Sequence, residues 1–111
     1  MNEAQQRKVL GLLGLGVRGR LALVGVDRVR EAVKGGKVRV AVVARDASPN
    51  ARQKVDGLLA GRRVPTLEVD SAEALGQATG KASAAIVGVL DDKLAAGVLA
   101  IATSAAAGRE A

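Results

Sequence analysis

Gly25 stands between an apolar stretch, "LALV" (Leu21–Val24), and an amphipathic one, "VDRVREAVK" (Val26–Lys34). The first predicts a short strand. The second predicts a helix with Val26, Val29 and Val33 on one face. A helix N-terminus carries amides with no intrahelical partner and the positive end of the helix dipole, so a phosphate or a base edge can dock there. A glycine at that point permits close approach, and it also serves a tight turn that binds nothing. Basic residues surround it. Arg28, Arg30 and Lys34 lie on the side of the helix away from the valines, Arg18 and Arg20 just precede the strand, and Lys37 and Arg39 follow the helix. Several of these are expected to share one rim with Gly25. Arginine forks match phosphates and guanine edges; the plainer alternative is a solvated face.

Other chemistries are poorly provided for. The chain has no cysteine and no histidine. Disulfides, thiolate nucleophiles, Cys/His zinc sites and histidine acid–base catalysis are therefore excluded. "GLLGLG" (Gly11–Gly16) has the wrong spacing for a dinucleotide loop and follows a helical pattern, not a strand. Asp91 and Asp92 are adjacent and point apart, which suits capping better than metal binding. Asp46, Asp56, Asp70 and Glu73 form no recognisable catalytic pair. No enzyme and no cofactor is expected. Aromatic residues are absent, so stacking of bases on aromatic rings is impossible, and any nucleic acid must be held by charge, backbone groups and aliphatic packing.

The elements that would position the basic rim alternate along the chain. Glu3–Leu13 predicts a helix with Val9, Leu10, Leu12 and Leu13 inward, broken by "GLGVRGR". Gly35-Gly36 ends the helix after Gly25. "VRVAVVA" (Val38–Ala44) predicts a central strand. Ser48 and Pro49 open the next helix as N-cap and first helical residue, with Val55, Leu58 and Leu59 inward. "VPTLEV" is a further strand. Asp70 and Glu73 have the spacing of a capping box for a helix running through Thr79. Ala84–Leu90 is another buried strand, and Asp91 caps a last helix carrying Leu94, Val98, Leu99 and Ile101. Such alternation predicts an α/β fold, a three-layer α/β/α sandwich.

The 111 residues are enough for one domain, and about half are apolar. Residues 1–45 hold ten basic and three acidic side chains, whereas residues 46–111 hold seven and eight, so the whole +6 net charge is carried by the first part. A one-sided basic surface suits a polyanion. No export signal and no membrane span is expected, the absent cysteine is compatible with the cytoplasm, and a monomer is expected.

The order of motifs resembles a known family. "ARDAS.N...KV", "VP", "ALGQATGK" and the strand leading to Asp91 together resemble the kink-turn RNA-binding ribosomal-protein superfamily, over roughly residues 10–103. The chain is most similar to the small bacterial paralogues found beside translation and transcription-termination factors. The resemblance implies a three-layer α/β/α sandwich with a four-stranded mixed sheet. It also implies binding of structured, kink-turn or ribosomal RNA by two neighbouring elements. One is the helix N-terminus at Gly25, Val26, Asp27 and Arg28, where the family carries Gly-x-Asn-Glu; here Asp27 falls at the asparagine and Arg28 at the glutamate, with Glu31 at a basic position one turn on. The other is a loop before the last strand, here Lys81, Ala82, Ser83, Ala84 and Ala85. Arg18, Arg20 and Arg30 are expected to steer to phosphates. The alternative is a protein-interaction module that docks a translation or transcription-termination factor.

Overall fold

The computed structural model describes the backbone of residues 1–110 and the side chains of residues 1–103. Its elements run α1 (Glu3–Arg18), β1 (Ala22–Val24), α2 (Val26–Lys34), β2 (Val40–Ala44), α3 (Pro49–Gly61), β3 (Thr66–Val69), α4 (Ala72–Ala78), β4 (Ile86–Val89) and α5 (Asp92–Glu110). The strands form one mixed sheet in the order β1-β4-β2-β3. β4 is antiparallel to both β1 and β2, and β2 is parallel to β3. β1 is thus a sheet edge, and its C-terminal end lies beside the start of β4, where Val24 pairs with Val87.

The period-two pleat of the central strands decides which helices cover which face. Val40, Val42 and Ala44, with Val87 and Val89, pack against α1, α4 and α5 through Val9, Leu13, Leu75, Ala95 and Val98. Ala41, Val43 and Ile86 turn to the other face and meet Val29, Val33, Val55 and Leu59 of α2 and α3. β2 is buried along its whole length, as expected of a strand with helices on both sides. The result is the three-layer α/β/α sandwich.

Two local expectations are corrected. Gly14 and Gly16 of "GLGVRGR" do not break α1, which continues to Arg18 and ends at the C-cap Gly19. Gly14 and Gly16 face inward: a Cβ at Gly14 would stand 2.5 Å from the Ala78 carbonyl oxygen, and one at Gly16 would run into Leu94. Close packing against α4 and α5 outweighs the weak helix propensity of glycine, about 1 kcal/mol each. The cap of α4 is Ser71, whose hydroxyl accepts from the Ala74 amide at 3.1 Å. Asp70 instead pairs with Arg45 at 3.4 Å and accepts from Gln6 Nε2 at 3.1 Å, which ties β3 to α1. Ser48, Pro49 and Asp91 act as expected; Asp91 Oδ2 accepts from the Leu94 amide at 2.9 Å. The side chains of "AAGVLAIATSAAAG" from residue 104 on lie outside the described residues. Among the described residues no helix is long and apolar enough to cross a membrane.

Candidate nucleic-acid interface

Gly25 is the N-cap of α2 and adopts φ +108°, a backbone conformation that L side chains rarely enter. Its amide donates to the Ile86 carbonyl at 3.0 Å and its own carbonyl accepts from the Val29 amide at 3.0 Å, so it locks the helix start onto β4. No side chain caps this end, which leaves the first-turn amides open. A Cβ at position 25 would meet nothing within 4 Å. The turn demands the glycine for its φ, and the space above it is open.

Beside this helix end lies a groove of about 460 Å³. Arg20 enters it from the end of α1, Val24 from β1, Arg28 from α2, and Thr79, Gly80 and Lys81 from the turn after α4. No acidic residue lines it. Arg20, Arg28 and Lys81 form no ion pair among the described residues. Asp27, next to Arg28 in sequence, lies outside the basic groove and lines a second one with Glu31, Leu23, Leu90, Lys37 and Arg28 itself. Arg28 stands between the two grooves and lines both, whereas Asp27, one residue and about 100° away around the helix, lines only the second.

The chain turns that deliver the cations are alike. After α1, the Leu21 amide donates to the Gly16 carbonyl at 2.7 Å and the Arg20 amide to Val17 at 3.1 Å, with Arg20 at φ +62°. After α4, the Lys81 amide donates to the Gly76 carbonyl at 2.8 Å, with Gly80 at φ +84°. Both are Schellman-type helix ends, whose left-handed position is ordinarily glycine. Arginine at that position costs about 1–2 kcal/mol in the folded state. The added freedom of a glycine in the unfolded chain offsets about 0.4–1 kcal/mol of that. Arg20→Gly is accordingly expected to leave the melting temperature unchanged or raise it by a few degrees. A clear drop in a thermal melt would show that the Arg20 side chain is a structural tie.

The loop before β4 offers less surface than its sequence suggested. Lys81, Ala82 and Ser83 are exposed, but Ala84 is only 5% exposed, sits in the core beneath α1 and α4, and donates its amide to the Ala72 carbonyl at 2.9 Å. Ala84 is thus a packing residue, because its Cβ turns inward where the loop joins the strand. Val26 is half-buried and packs on the α2–α3 side of the sheet. Arg18 folds back along α1 toward Gly14. Arg30 is half-buried, and its Nε is enclosed with no hydrogen-bond partner among the described residues. Neither Arg18 nor Arg30 lines the basic groove. Lys37 and Arg39 do not line the basic groove either: Lys37 lines the second groove with Asp27 and Arg28, and Arg39 lies beyond the opposite end of α2. Thr79 was missed by sequence reasoning. Its hydroxyl donates to the Leu75 carbonyl at 2.8 Å and closes the last turn of α4; a buried threonine at a helix end leaves no sequence signal of a binding wall.

Not every arginine of the surface is available. Arg52 is held between Glu68 at 2.9 Å and Asp56 at 3.0 Å, and these hydrogen bonds, Glu68 first, push its guanidinium further toward the charged form. Among the described residues no cluster of acidic side chains could hold a metal ion.

Fold and groove together define a small α/β/α protein with a basic site at a glycine-capped helix start. The chain belongs to the Ribosomal protein L7Ae/L30e/S12e/Gadd45 family, whose model matches residues 7–98. It is 30% identical over 95 residues to the RNA-binding protein YlxQ of Enterococcus faecium, covering 86% of this chain and 91% of that protein. It is 32% identical over 84 residues to the RNA-binding protein YlxQ of Bacillus subtilis (strain 168), covering 76% and 84%. A protein of unknown function from Bacillus halodurans superposes with a TM-score of 0.78 at 31% identity, over 85% of this chain and 95% of that one. The Giardia lamblia 15.5kD RNA binding protein superposes with a TM-score of 0.80 over 96% and 92%; at 23% identity this likeness concerns the fold.

Proposed function

We propose that this protein is a non-enzymatic RNA-binding protein that holds structured RNA in the groove formed by Arg20, Arg28 and Lys81. The observation that carries this reading is the convergence of three unpaired cations, from three separate elements and with no acid in the lining, beside the open amides of α2. Guanidinium forks and first-turn amides both take phosphate oxygens. Val17, Ala22 and Val24 add an aliphatic wall on which a base can rest in a protein without aromatic rings. Relatives named as RNA-binding proteins support the reading.

The family's Asn-Glu readout pair is Asp27-Arg28 here, and Asp27 lies outside the basic groove. A carboxylate cannot donate as an amide does. The experiment is binding to a kink-turn RNA and to a plain duplex of equal length, at about 50 and about 200 mM salt. Three phosphate contacts give a log K against log salt slope of about −2.7 for a duplex. A tenfold or greater preference for the kink-turn that survives the higher salt places the family's mode of recognition in this chain. Equal binding of both, lost with salt, makes the groove a phosphate site. No binding of either RNA at the lower salt overturns the proposal.

A second reading rests on the other groove along α2. It measures about 620 Å³, is lined by Leu23, Ala32 and Leu90 with the sheet edge β1 beside it, mixes Asp27, Glu31 and Lys37, and shares Arg28 with the basic groove. Such a groove fits a segment of a translation or transcription-termination factor. Partners retained from lysate after nuclease treatment support it; partners lost with the RNA oppose it.

A further inference from the structure

We propose that the far end of α2 carries a second RNA-phosphate contact, made by Arg39, Arg62 and Arg63. The proposal rests on the RNA-binding reading above and extends it to a surface that the groove at Gly25 does not include. The turn from α2 to β2 and the turn from α3 to β3 meet at this end and enclose a groove of about 340 Å³ between Gly36, Val38, Val64 and Pro65. All three arginines line it and no acidic residue does. The two basic grooves lie toward opposite ends of α2, a helix of nine residues and about 13 Å.

Two of the three charges of this cluster are free, as are those of the first groove. On the remaining basic face, Arg45 is paired with Asp70 at 3.4 Å, and Arg52 with Asp56 and Glu68 at 3.0 and 2.9 Å. Arg39 is held by Asp92 at 3.0 Å, but Arg62 and Arg63 have no carboxylate partner among the described residues. The chain turn repeats that of the first groove. The Val64 amide donates to the Leu59 carbonyl at 3.0 Å and the Arg63 amide to Ala60 at 3.1 Å, with Arg63 at φ +55°. Of the four helices α1 to α4, two place glycine at this left-handed position, Gly36 and Gly80; the other two place Arg20 and Arg63, and each of these arginines lines an acid-free groove.

The two unpaired guanidinia need a partner with several acceptor oxygens at regular spacing. A phosphate backbone supplies it, and the protein's own first groove takes the same chemistry. The plainer role for these arginines is to face the carbonyls at the C-terminal end of α3, which a cation favours with no ligand present.

The test uses the full chain with the double variant Arg62→Gln/Arg63→Gly, in which glycine relieves the left-handed position and so protects folding. The variant Arg7→Gln/Lys8→Gln, exposed on α1, matches its change in net charge. Binding to an RNA duplex of about 30 base pairs is measured across a salt series, beside thermal melts. We expect the far-end variant to lower the steepness of the salt dependence by about 1.8, the value for two phosphate contacts, and the α1 variant to leave it unchanged. An unchanged slope with a lowered melting temperature would overturn the proposal in favour of helix-end compensation. An equal fall in both variants would overturn it in favour of net charge. Tighter, Arg62- and Arg63-dependent binding of oligoglutamate of matched charge would also overturn it, in favour of an acidic protein partner. Failure of the far-end contact alone leaves wild-type RNA binding intact and sensitive to Arg20 and Arg28; failure of the first reading removes RNA binding altogether.

Discussion

Gly76→Ala lowers the stability of this protein by about 2–3 kcal/mol, within the range for forcing an extra carbon into a packed site. Gly76 is buried in α4. A Cβ there would run into the Ser83 Cα, with the Ser83 amide nitrogen at 2.6 Å and its carbonyl carbon at 2.7 Å. These are backbone atoms, so no side chain can swing aside. The loop cannot retreat cheaply either, because Lys81 and Ala84 donate their amides to the carbonyls of Gly76 and Ala72 at 2.8 and 2.9 Å. The better helix propensity of alanine recovers about 1 kcal/mol at most. A thermal melt should show a fall of roughly 10 °C or more for a domain of this size. The same displacement moves Lys81, so RNA affinity should fall with it. A melt matching wild type would mean that the loop is not anchored on α4.

Arg20→Glu combined with Arg28→Glu lowers affinity for an RNA duplex on the order of 100-fold at about 50 mM salt, or about 2.8 kcal/mol. Each substitution removes a charge-assisted contact and sets a carboxylate against phosphate in a groove that otherwise holds no acid. Both side chains are exposed and unpaired among the described residues, so the fold should be unaffected. The comparison is Arg7→Glu/Lys8→Glu, which changes net charge equally on an exposed part of α1. A filter-binding titration in which both double variants weaken alike would falsify the groove as a site and leave only the overall charge. Arg20→Gly complements this experiment: it removes the same cation while relieving the left-handed backbone, so affinity should fall while stability holds.

Much of the architecture is legible in the chain because its signals are local. The alternation of valine-rich runs with amphipathic segments requires strands and helices in turn, and Ser48-Pro49, Gly35-Gly36 and Asp91 mark helix ends through hydrogen bonds made within a few residues. Where local chemistry competes with packing, the sequence misleads. Gly14 and Gly16 read as breakers but serve contacts with α4 and α5, and Asp70 reads as a cap but pairs with Arg45 and Gln6.

For the site, the residues alone determined a glycine at a strand-to-helix turn, an excess of cations in the first part of the chain, and the absence of cysteine and histidine. Tertiary structure decided which cations lie together. Arg20, Arg28 and Lys81 converge because β1 is the sheet edge beside β4, which brings the end of α1, the start of α2 and the turn after α4 to one corner. Arg30 and Arg18 lie outside that corner, Ala84 turns into the core, Lys37 lines the neighbouring groove with Asp27 and Arg28, and Arg39 lies at the opposite end of α2. No pattern along the chain reports that division, because strand order and helix crossing are set by which faces pack, and those contacts join residues far apart in sequence.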